Sequence, residues 1–188
     1  YDSAHPKMNV DPNTVHLFYD KNGAPLGSKF NLGSVWNFHV WNECFLKRTD
    51  VSDSLPPDAW NAIDATPGES SDGKYQLGPG PVRSVRRKNR SGKYDVKFLM
   101  SQTNANIQKW SQFKPCTLNS KGCCRSNTKF CPKKKKQNGI WFYQYAKPQY
   151  NGVGTAMFTL KGSSSYMNVW RTYKDSMKRR DIEGGVEV

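Results

Sequence analysis

A run of alternating large side chains, from Ser34 to Lys47, restricts the choice of fold more than any other part of the sequence. Successive side chains of an extended strand point to opposite sides, so Trp36 and Cys44 would share one face while His39 and Trp41 share the other. Aromatic side chains on both faces are typical of a central strand that is covered on both sides. The sequence therefore predicts one buried strand over this run.

Shorter runs of β-branched and aromatic residues end at clusters of Gly, Pro or Asn, as strands do. They are residues 15–20, 60–64, 75–77, 82–86, 94–100, 140–145 and 155–160. Only Tyr166 to Arg180 has the apolar spacing of an amphipathic helix. These patterns predict an α+β fold over residues 1–188, with mainly antiparallel sheet and a C-terminal helix.

The charge of the chain is strongly positive, with 29 Lys and Arg against 15 Asp and Glu. Residues 96–174 carry 14 of the basic residues and no carboxylate side chain. Such a stretch attracts acidic proteins, sulfated glycans, anionic lipids or nucleic acid. The run Lys133, Lys134, Lys135 and Lys136 is the candidate contact with a polyanion, and a solvated loop is its alternative. No run of 18 apolar residues occurs, so the sequence predicts no membrane-spanning helix.

Four of the five cysteines lie close together, at Cys116, Cys123, Cys124 and Cys131. Two of them are adjacent and no histidine lies nearby, which disfavours a zinc site. Two local disulfides in an oxidising compartment, or reduced structural thiols, both fit the spacing. We interpret residues 113–138 as a Cys- and Lys-rich surface insertion. Disulfides there would favour an extracellular location over a cytoplasmic one, although the sequence carries no targeting signal.

A second feature is the pair His39 and Asp64. A histidine in a buried strand needs a hydrogen-bond partner, and an aspartate 25 residues later can provide it if the next strand lies alongside. The carboxylate would then orient the imidazole for work on a nucleophile. A purely structural pair is the alternative.

The residues around this pair form long and unusual motifs. They are Trp36-Asn37-Phe38-His39-Val40-Trp41-Asn42-Glu43 and Trp60-Asn61-Ala62-Ile63-Asp64-Ala65-Thr66-Pro67. Both motifs, with Ser3-Ala4-His5 upstream, resemble the catalytic core of the animal-type transglutaminases. The similarity is strong over residues 1–87, weaker to about residue 175, and does not include residues 113–138. It implies the β-rich half of a papain-like core.

The resemblance also implies a chemistry. In this family a cysteine thiolate attacks the carboxamide of a protein glutamine, and the resulting thioester passes to a lysine amine as an isopeptide cross-link. His39 matches the catalytic histidine, and Asp64 matches the aspartate that orients it. Trp36 matches a tryptophan that walls the acyl-transfer channel. The implied partners are protein substrates that carry glutamine and lysine.

The family's nucleophile lies upstream of the histidine, in a Gly-Gln-Cys-Trp setting. No cysteine precedes His39 in this sequence, and the first residue is Tyr1 rather than Met. We therefore expect a piece of a longer protein that begins after the nucleophile and is inactive alone. The alternatives are an inactive scaffold that keeps the fold, or a polyanion-binding module.

Calcium is the cofactor that the resemblance implies. A loop with Asn9, Asp11 and Asn13 offers oxygens at suitable spacing, and Asn104 matches a ligand of a second family site. The pattern departs from the family at Gly33, where an acidic ligand is expected. Ordinary turns are the alternative at both places.

Overall fold

The computed structural model describes residues 3–51, 58–68, 70, 73–87, 89, 93–112, 133–144, 149–150, 153, 157–161, 165–169 and 173. Over these residues the chain forms eleven strands and two helices. The strands are β1 (Ser3–Pro6), β2 (Thr14–Tyr19), β3 (Gly33–Trp36), β4 (Asn42–Lys47), β5 (Asp58–Asp64), β6 (Leu77–Pro81), β7 (Asn106–Ser111), β8 (Lys134–Gln137), β9 (Ile140–Gln144), β10 (Phe158–Lys161) and β11 (Ser165–Asn168). The helices are α1 (Val82–Arg86) and α2 (Val96–Asn104).

The strands are arranged in two larger sheets and two pairs. The larger sheets have the orders β2-β7-β9-β8 and β4-β5-β6, and the pairs are β1-β3 and β10-β11. Strands β2 and β7 run parallel, whereas the other described pairings are antiparallel. The β-rich, mostly antiparallel character expected from the sequence is therefore confirmed.

The single buried strand predicted from Ser34 to Lys47 is wrong. The run divides into β3 and β4, which pair with different partners, β1 and β5. The chain leaves one sheet for the other through residues 37–41, where Phe38 is 75% exposed and Val40 is 59% exposed. His39 consequently lies on this connection and not within a strand.

Two further segments predicted as strands, residues 82–86 and 94–100, instead contribute to α1 and α2. Short apolar runs do not distinguish a strand from a buried helix by periodicity alone. Val82 and Val85, like Val96 and Leu99, are three residues apart, so each pair shares one helix face, and all four are buried. They pack into one core with residues of β5 and β6, namely Ala62 and Leu77, and with Met100, Met157 and Tyr173.

The C-terminal helix predicted from Tyr166 onward is wrong at its start. Residues 165–168 form β11 and pair antiparallel with β10. Of residues 169–180, the structure describes Val169 and Tyr173.

The lysine run also differs from its prediction as part of a loop. Lys134, Lys135 and Lys136 belong to β8, which pairs antiparallel with β9 and lies at the end of the four-stranded order. Residues 113–132, with Cys116, Cys123, Cys124 and Cys131, lie outside the described residues. The insertion itself therefore stays a prediction.

A search for membrane spans gives a negative result: among the described residues, no helix combines the length and apolarity needed to cross a membrane.

Candidate active site

The two motif residues His39 and Asp64 meet in the structure. His39 follows β3, and Asp64 is the last residue of β5, next to an irregularity in the β5-β6 pairing. His39 Nε2 lies 2.7 Å from Asp64 Oδ2, and both side chains are buried. The expected hydrogen bond is present, with Nε2–H donating to the carboxylate, so Nδ1 is the second ring nitrogen. The catalytic role of the pair stays a prediction.

Asp64 accepts three described hydrogen bonds. Besides His39, the Gln102 side chain donates Nε2–H to Oδ2 over 2.8 Å, and the Thr66 amide donates to Oδ1 over 2.9 Å. Burial favours the neutral carboxyl, but the hydrogen bonds from His39, Gln102 and Thr66 outweigh it and hold the pKa of Asp64 below its usual value. The residue is thus a buried carboxylate that accepts from three donors.

Aromatic rings enclose the His39 imidazole. The Trp36 ring lies edge-on to it with 5.0 Å between ring centroids, and Trp41 lies on another side at 6.2 Å. Trp36 donates its indole Nε1–H to Ser34 Oγ over 3.0 Å, which fixes the ring orientation. Trp36 therefore lies beside the histidine, and its part in a substrate channel stays a prediction.

A second histidine, His5, occupies the same pocket. Its ring lies 5.2 Å from that of His39 and 4.1 Å from that of Trp36. Nδ1 accepts the Gly68 amide proton over 3.0 Å, so Nε2 carries the ring proton and donates it to Ser3 Oγ over 2.7 Å. Burial, and then the proximity of His39, lower the pKa of His5 to about 4. His5 is therefore a neutral ring near pH 7.

Contact between His5 and Gly68 leaves no room for a larger residue. A Cβ atom built on Gly68 would lie 2.5 Å from the His5 ring. Glycine at this position lets its backbone amide approach the imidazole.

Tyr173, from a distant part of the chain, contacts Trp41 and Glu43. Its ring packs 5.1 Å from Trp41, and its hydroxyl donates to Glu43 Oε1. Burial and the Glu43 carboxylate both raise the pKa of the Tyr173 hydroxyl, which keeps the phenol neutral. The contact ties the segment near residue 173 to β4.

Two of the residues expected to bind calcium, Asp11 and Asn104, already have hydrogen-bond partners. Asp11 accepts the Asn13 amide at Oδ1 over 3.0 Å and lies 3.1 Å from His16 Nε2 through Oδ2. Asn104 uses its amide Nδ2 to donate to the carbonyl oxygens of Met100 and Tyr173. The part of the chain that the structure describes contains no group of three or more His, Cys, Asp or Glu side chains able to hold a metal. The donor set around Asn9, Asp11 and Asn13 is thus poor in carboxylates.

Gly33 has a structural reason to be glycine. Its φ is +104°, and a Cβ atom there would lie 2.7 Å from Pro6 Cα. The close β1-β3 approach therefore excludes the acidic side chain that the family resemblance leads us to expect.

Sequence reasoning missed several residues of the pocket. His5 belongs to the Ser3-Ala4-His5 motif, and that motif was the available signal. Gln102 was predicted just beyond a strand rather than on a helix, and nothing in the sequence linked it to Asp64. Tyr173 is 130 residues from Glu43, a separation that no local pattern bridges.

Known proteins that are similar to this chain belong to the same family that the motifs resemble. The chain is 38% identical over 112 residues to the hemocyte protein-glutamine gamma-glutamyltransferase of Tachypleus tridentatus, which covers 60% of this chain and 14% of that protein. It is 40% identical over 113 residues to human protein-glutamine gamma-glutamyltransferase 5, covering 58% of this chain and 15% of that protein. In structure it matches the red sea bream transglutaminase crystal structure with a TM-score of 0.60 and 23% identity, over 97% of this chain and 24% of that one. The chain resembles transglutaminases.

This resemblance has a limited reach. The chain spans about 15% of the length of the curated transglutaminases it matches. The structural match supports a shared fold, and no family profile matches the chain. What whole transglutaminases do is therefore carried to this chain only as a proposal.

Proposed function

We propose that this chain contributes the histidine and aspartate of a protein-glutamine gamma-glutamyltransferase active site. The observation that carries the proposal is the buried hydrogen bond between His39 and Asp64, beside the Trp36 ring. A carboxylate on Nε2 fixes the tautomer and orientation of the imidazole, which directs Nδ1 toward its own partner. That arrangement suits a histidine that exchanges a proton with a thiol.

The proposed reaction proceeds through a thioester. A cysteine thiolate attacks the carboxamide carbon of a protein glutamine, and His39 gives a proton to the departing nitrogen, so that ammonia leaves. A lysine amine of a second protein then attacks the thioester and loses a proton to His39. The C–S bond breaks, the thiolate is restored, and an isopeptide bond joins the two proteins.

Trp36 would protect the thioester from hydrolysis. An indole beside the imidazole excludes water from the reacting atoms, which favours attack by the amine. We expect substitution of Trp36 to shift the products from the cross-link toward glutamate.

The nucleophile in this proposal comes from outside the 188-residue sequence, because no cysteine precedes His39. We propose a papain-like arrangement in which the cysteine begins a helix, so that the helix dipole stabilises the thiolate. The 188-residue chain alone would then be inactive.

The test uses the complete protein that contains this sequence. Incorporation of a fluorescent primary amine into casein, together with ammonia release, measures both half-reactions. His39→Gln should abolish incorporation, whereas His16→Gln should retain it, because His16 is another buried histidine that contacts Asp11 and Trp110 instead. Retained activity in folded His39→Gln would refute the proposal. Alanine or serine at the upstream cysteine position, with no activity, would favour the inactive scaffold.

A second function, contact with a polyanion, is favoured by the β8-β9 hairpin. The Nζ atoms of Lys134 and Lys136 lie 4.9 and 5.9 Å from the centre of the Trp141 ring, which is 48% exposed. Alternate residues of a strand are about 6.7 Å apart, so the two ammonium groups form a short cationic row on one face. Lys135 points to the opposite face, beside Trp110, and burial lowers its pKa.

We propose a sulfated glycan as the ligand of this row, because its closely spaced sulfate groups would pair with the two neighbouring ammonium groups. Heparin affinity should fall in Lys134→Gln and Lys136→Gln, and salt should weaken it steeply. Lys97→Gln, which removes the same charge from an exposed position on α2, should leave affinity unchanged. Equal losses in all three variants would indicate a general charge effect, and tighter binding to a single-stranded oligonucleotide would contradict a glycan.

Calcium binding at Asn9, Asp11 and Asn13 stays a proposal. In this loop a calcium ion would have to compete with His16 for the Asp11 carboxylate. Asp11 is the one carboxylate of the three, and His16 already contacts it. We expect weak binding that releases the His16 contact, which calcium titration followed by the His16 ring resonances would detect. Unchanged resonances at millimolar calcium would refute the site.

A further inference from the structure

Gln102 and His39 donate hydrogen bonds to the same acceptor atom. Both side chains donate to Asp64 Oδ2, Gln102 over 2.8 Å and His39 over 2.7 Å. Gln102 lies on α2 and is 3% exposed, so its amide joins the pair from an element that neither motif contains. The buried carboxylate is thereby held from two directions.

The orientation of the Gln102 amide follows from which of its two ends can donate a hydrogen bond to a carboxylate. A flipped amide would place Oε1, which has no donor hydrogen, against the carboxylate oxygen. In the observed orientation, Oε1 is buried without a hydrogen-bond partner among the described residues. A small cavity lined by His5, Gly68 and Gln102 adjoins it. Because Gln102 Oε1 has no described partner, the hydrogen bond from Nε2 to Asp64 is the contact that sets the orientation of this side chain.

The charge of the cluster depends on this residue being an amide. The groups that face Asp64 are His39, the Thr66 amide, Gln102 and, at longer range, the neutral His5 ring. A carboxylate at position 102 would bring a second negative charge against Oδ2, and a hydrocarbon would remove a donor. Glutamine donates without adding charge at any pH.

We propose that Gln102 is a positioning residue that keeps Asp64 ionised and aimed at His39. The catalytic value of this role rests on the proposed acyl transfer. The hydrogen bond and its effect on Asp64 do not, and they are measurable in the 188-residue chain.

The test follows the Asp64 carboxyl carbon by NMR during an acid titration. Gln102→Met keeps the size of the side chain but removes the donor, so the Asp64 midpoint should rise by about one pH unit. Gln102→Glu should raise it further, because ionised carboxylates repel at this distance. Gln108→Met is the matched control, since Gln108 is also buried but donates to the Lys109 carbonyl.

The unmodified chain provides an independent measurement in case a variant fails to fold. The Gln102 side-chain amide protons should shift with the same midpoint as the Asp64 carboxyl carbon. An amide that ignores the Asp64 titration, or equal midpoint shifts in Gln102→Met and Gln108→Met, would overturn the proposal. A full protein that lacks cross-linking activity but shows these shifts would instead refute the proposed function alone.

Discussion

The His5 and His39 rings lie edge to face, with centroids 5.2 Å apart, yet they have different hydrogen-bond partners. His39 is bound to a carboxylate, whereas His5 is bound to a backbone amide and a hydroxyl. Burial, and then the proximity of His39, make a positive charge on the His5 ring unfavourable. His5 therefore serves the pocket as a neutral ring that helps to hold His39 and Trp36 in place.

This difference predicts a pH-dependent stability. The pKa of His5 falls from 6.5 to about 4 on folding, so between these values the unfolded chain binds the proton more tightly than the folded chain. Titration of His5 therefore leaves the free energy of unfolding unchanged above pH 6.5, lowers it as the pH drops toward 4, and causes no further loss below pH 4. The total loss is about 3 kcal/mol at most. Urea unfolding of the chain between pH 4 and 7 measures it.

The control for this prediction is His5→Gln, which cannot titrate in that range. Its stability should depend less on pH than that of the unmodified chain. A remaining slope is expected from His16, whose pKa is also lowered, first by burial. If both chains lose the same stability between pH 7 and 4, the assignment to His5 is wrong.

A second prediction concerns Asp64→Asn. An asparagine presents an NH₂ group to at least one of the three donors around position 64, so the variant should lose about 2 to 3 kcal/mol of unfolding free energy. Asp20→Asn is the matched comparison, because Asp20 accepts both of its amide bonds at Oδ1, which asparagine retains. Chemical denaturation should show a much smaller loss there. Similar losses would mean that the Asp64 donors do not depend on a carboxylate.

Part of the site could be predicted from the sequence. The long motifs placed His39 and Asp64 together because their residues are distinctive, whereas the run from Ser34 to Lys47 was misread because alternation does not reveal where a chain changes sheets. Val82–Arg86 and the start of α2 were misread for a related reason: the core packing of their apolar side chains, rather than local spacing, selects the helix. The Gln102 contact depends on how α2 lies against β5, which is a tertiary property.

A third prediction uses Gly33, where two effects of a Cβ atom can be separated. Gly33→Ala should destabilise the fold by about 2 to 4 kcal/mol, since it combines an unfavourable positive φ with a clash against β1. Gly23 also has a positive φ, of +86°, but nothing lies within 4 Å of a Cβ atom built there. Gly23→Ala should therefore lose only about 1 kcal/mol. Equal thermal destabilisation of the two variants would show that β1 and β3 tolerate the added methyl group.

The last prediction concerns the cysteines and the compartment. Cys44 is a free thiol within β4, where its backbone partner is Asn61. If residues 113–132 form an exposed insertion in an oxidising compartment, Cys116, Cys123, Cys124 and Cys131 should pair among themselves and leave Cys44 reduced. Non-reducing peptide mapping of protein isolated from its own cells and from their medium would identify the pairs and the compartment.

Deletion of the insertion provides the structural check, and β8 sets its limit. The deletion must end at residue 132, because removing Lys134–Gln137 would take away the strand that pairs with β9. A chain without residues 113–132 should keep the His39 and Asp64 resonances and the heparin affinity of Lys134 and Lys136. Loss of folding on this deletion would show that the segment belongs to the core. Four free thiols in the isolated protein would contradict the disulfides and remove the argument for an extracellular location.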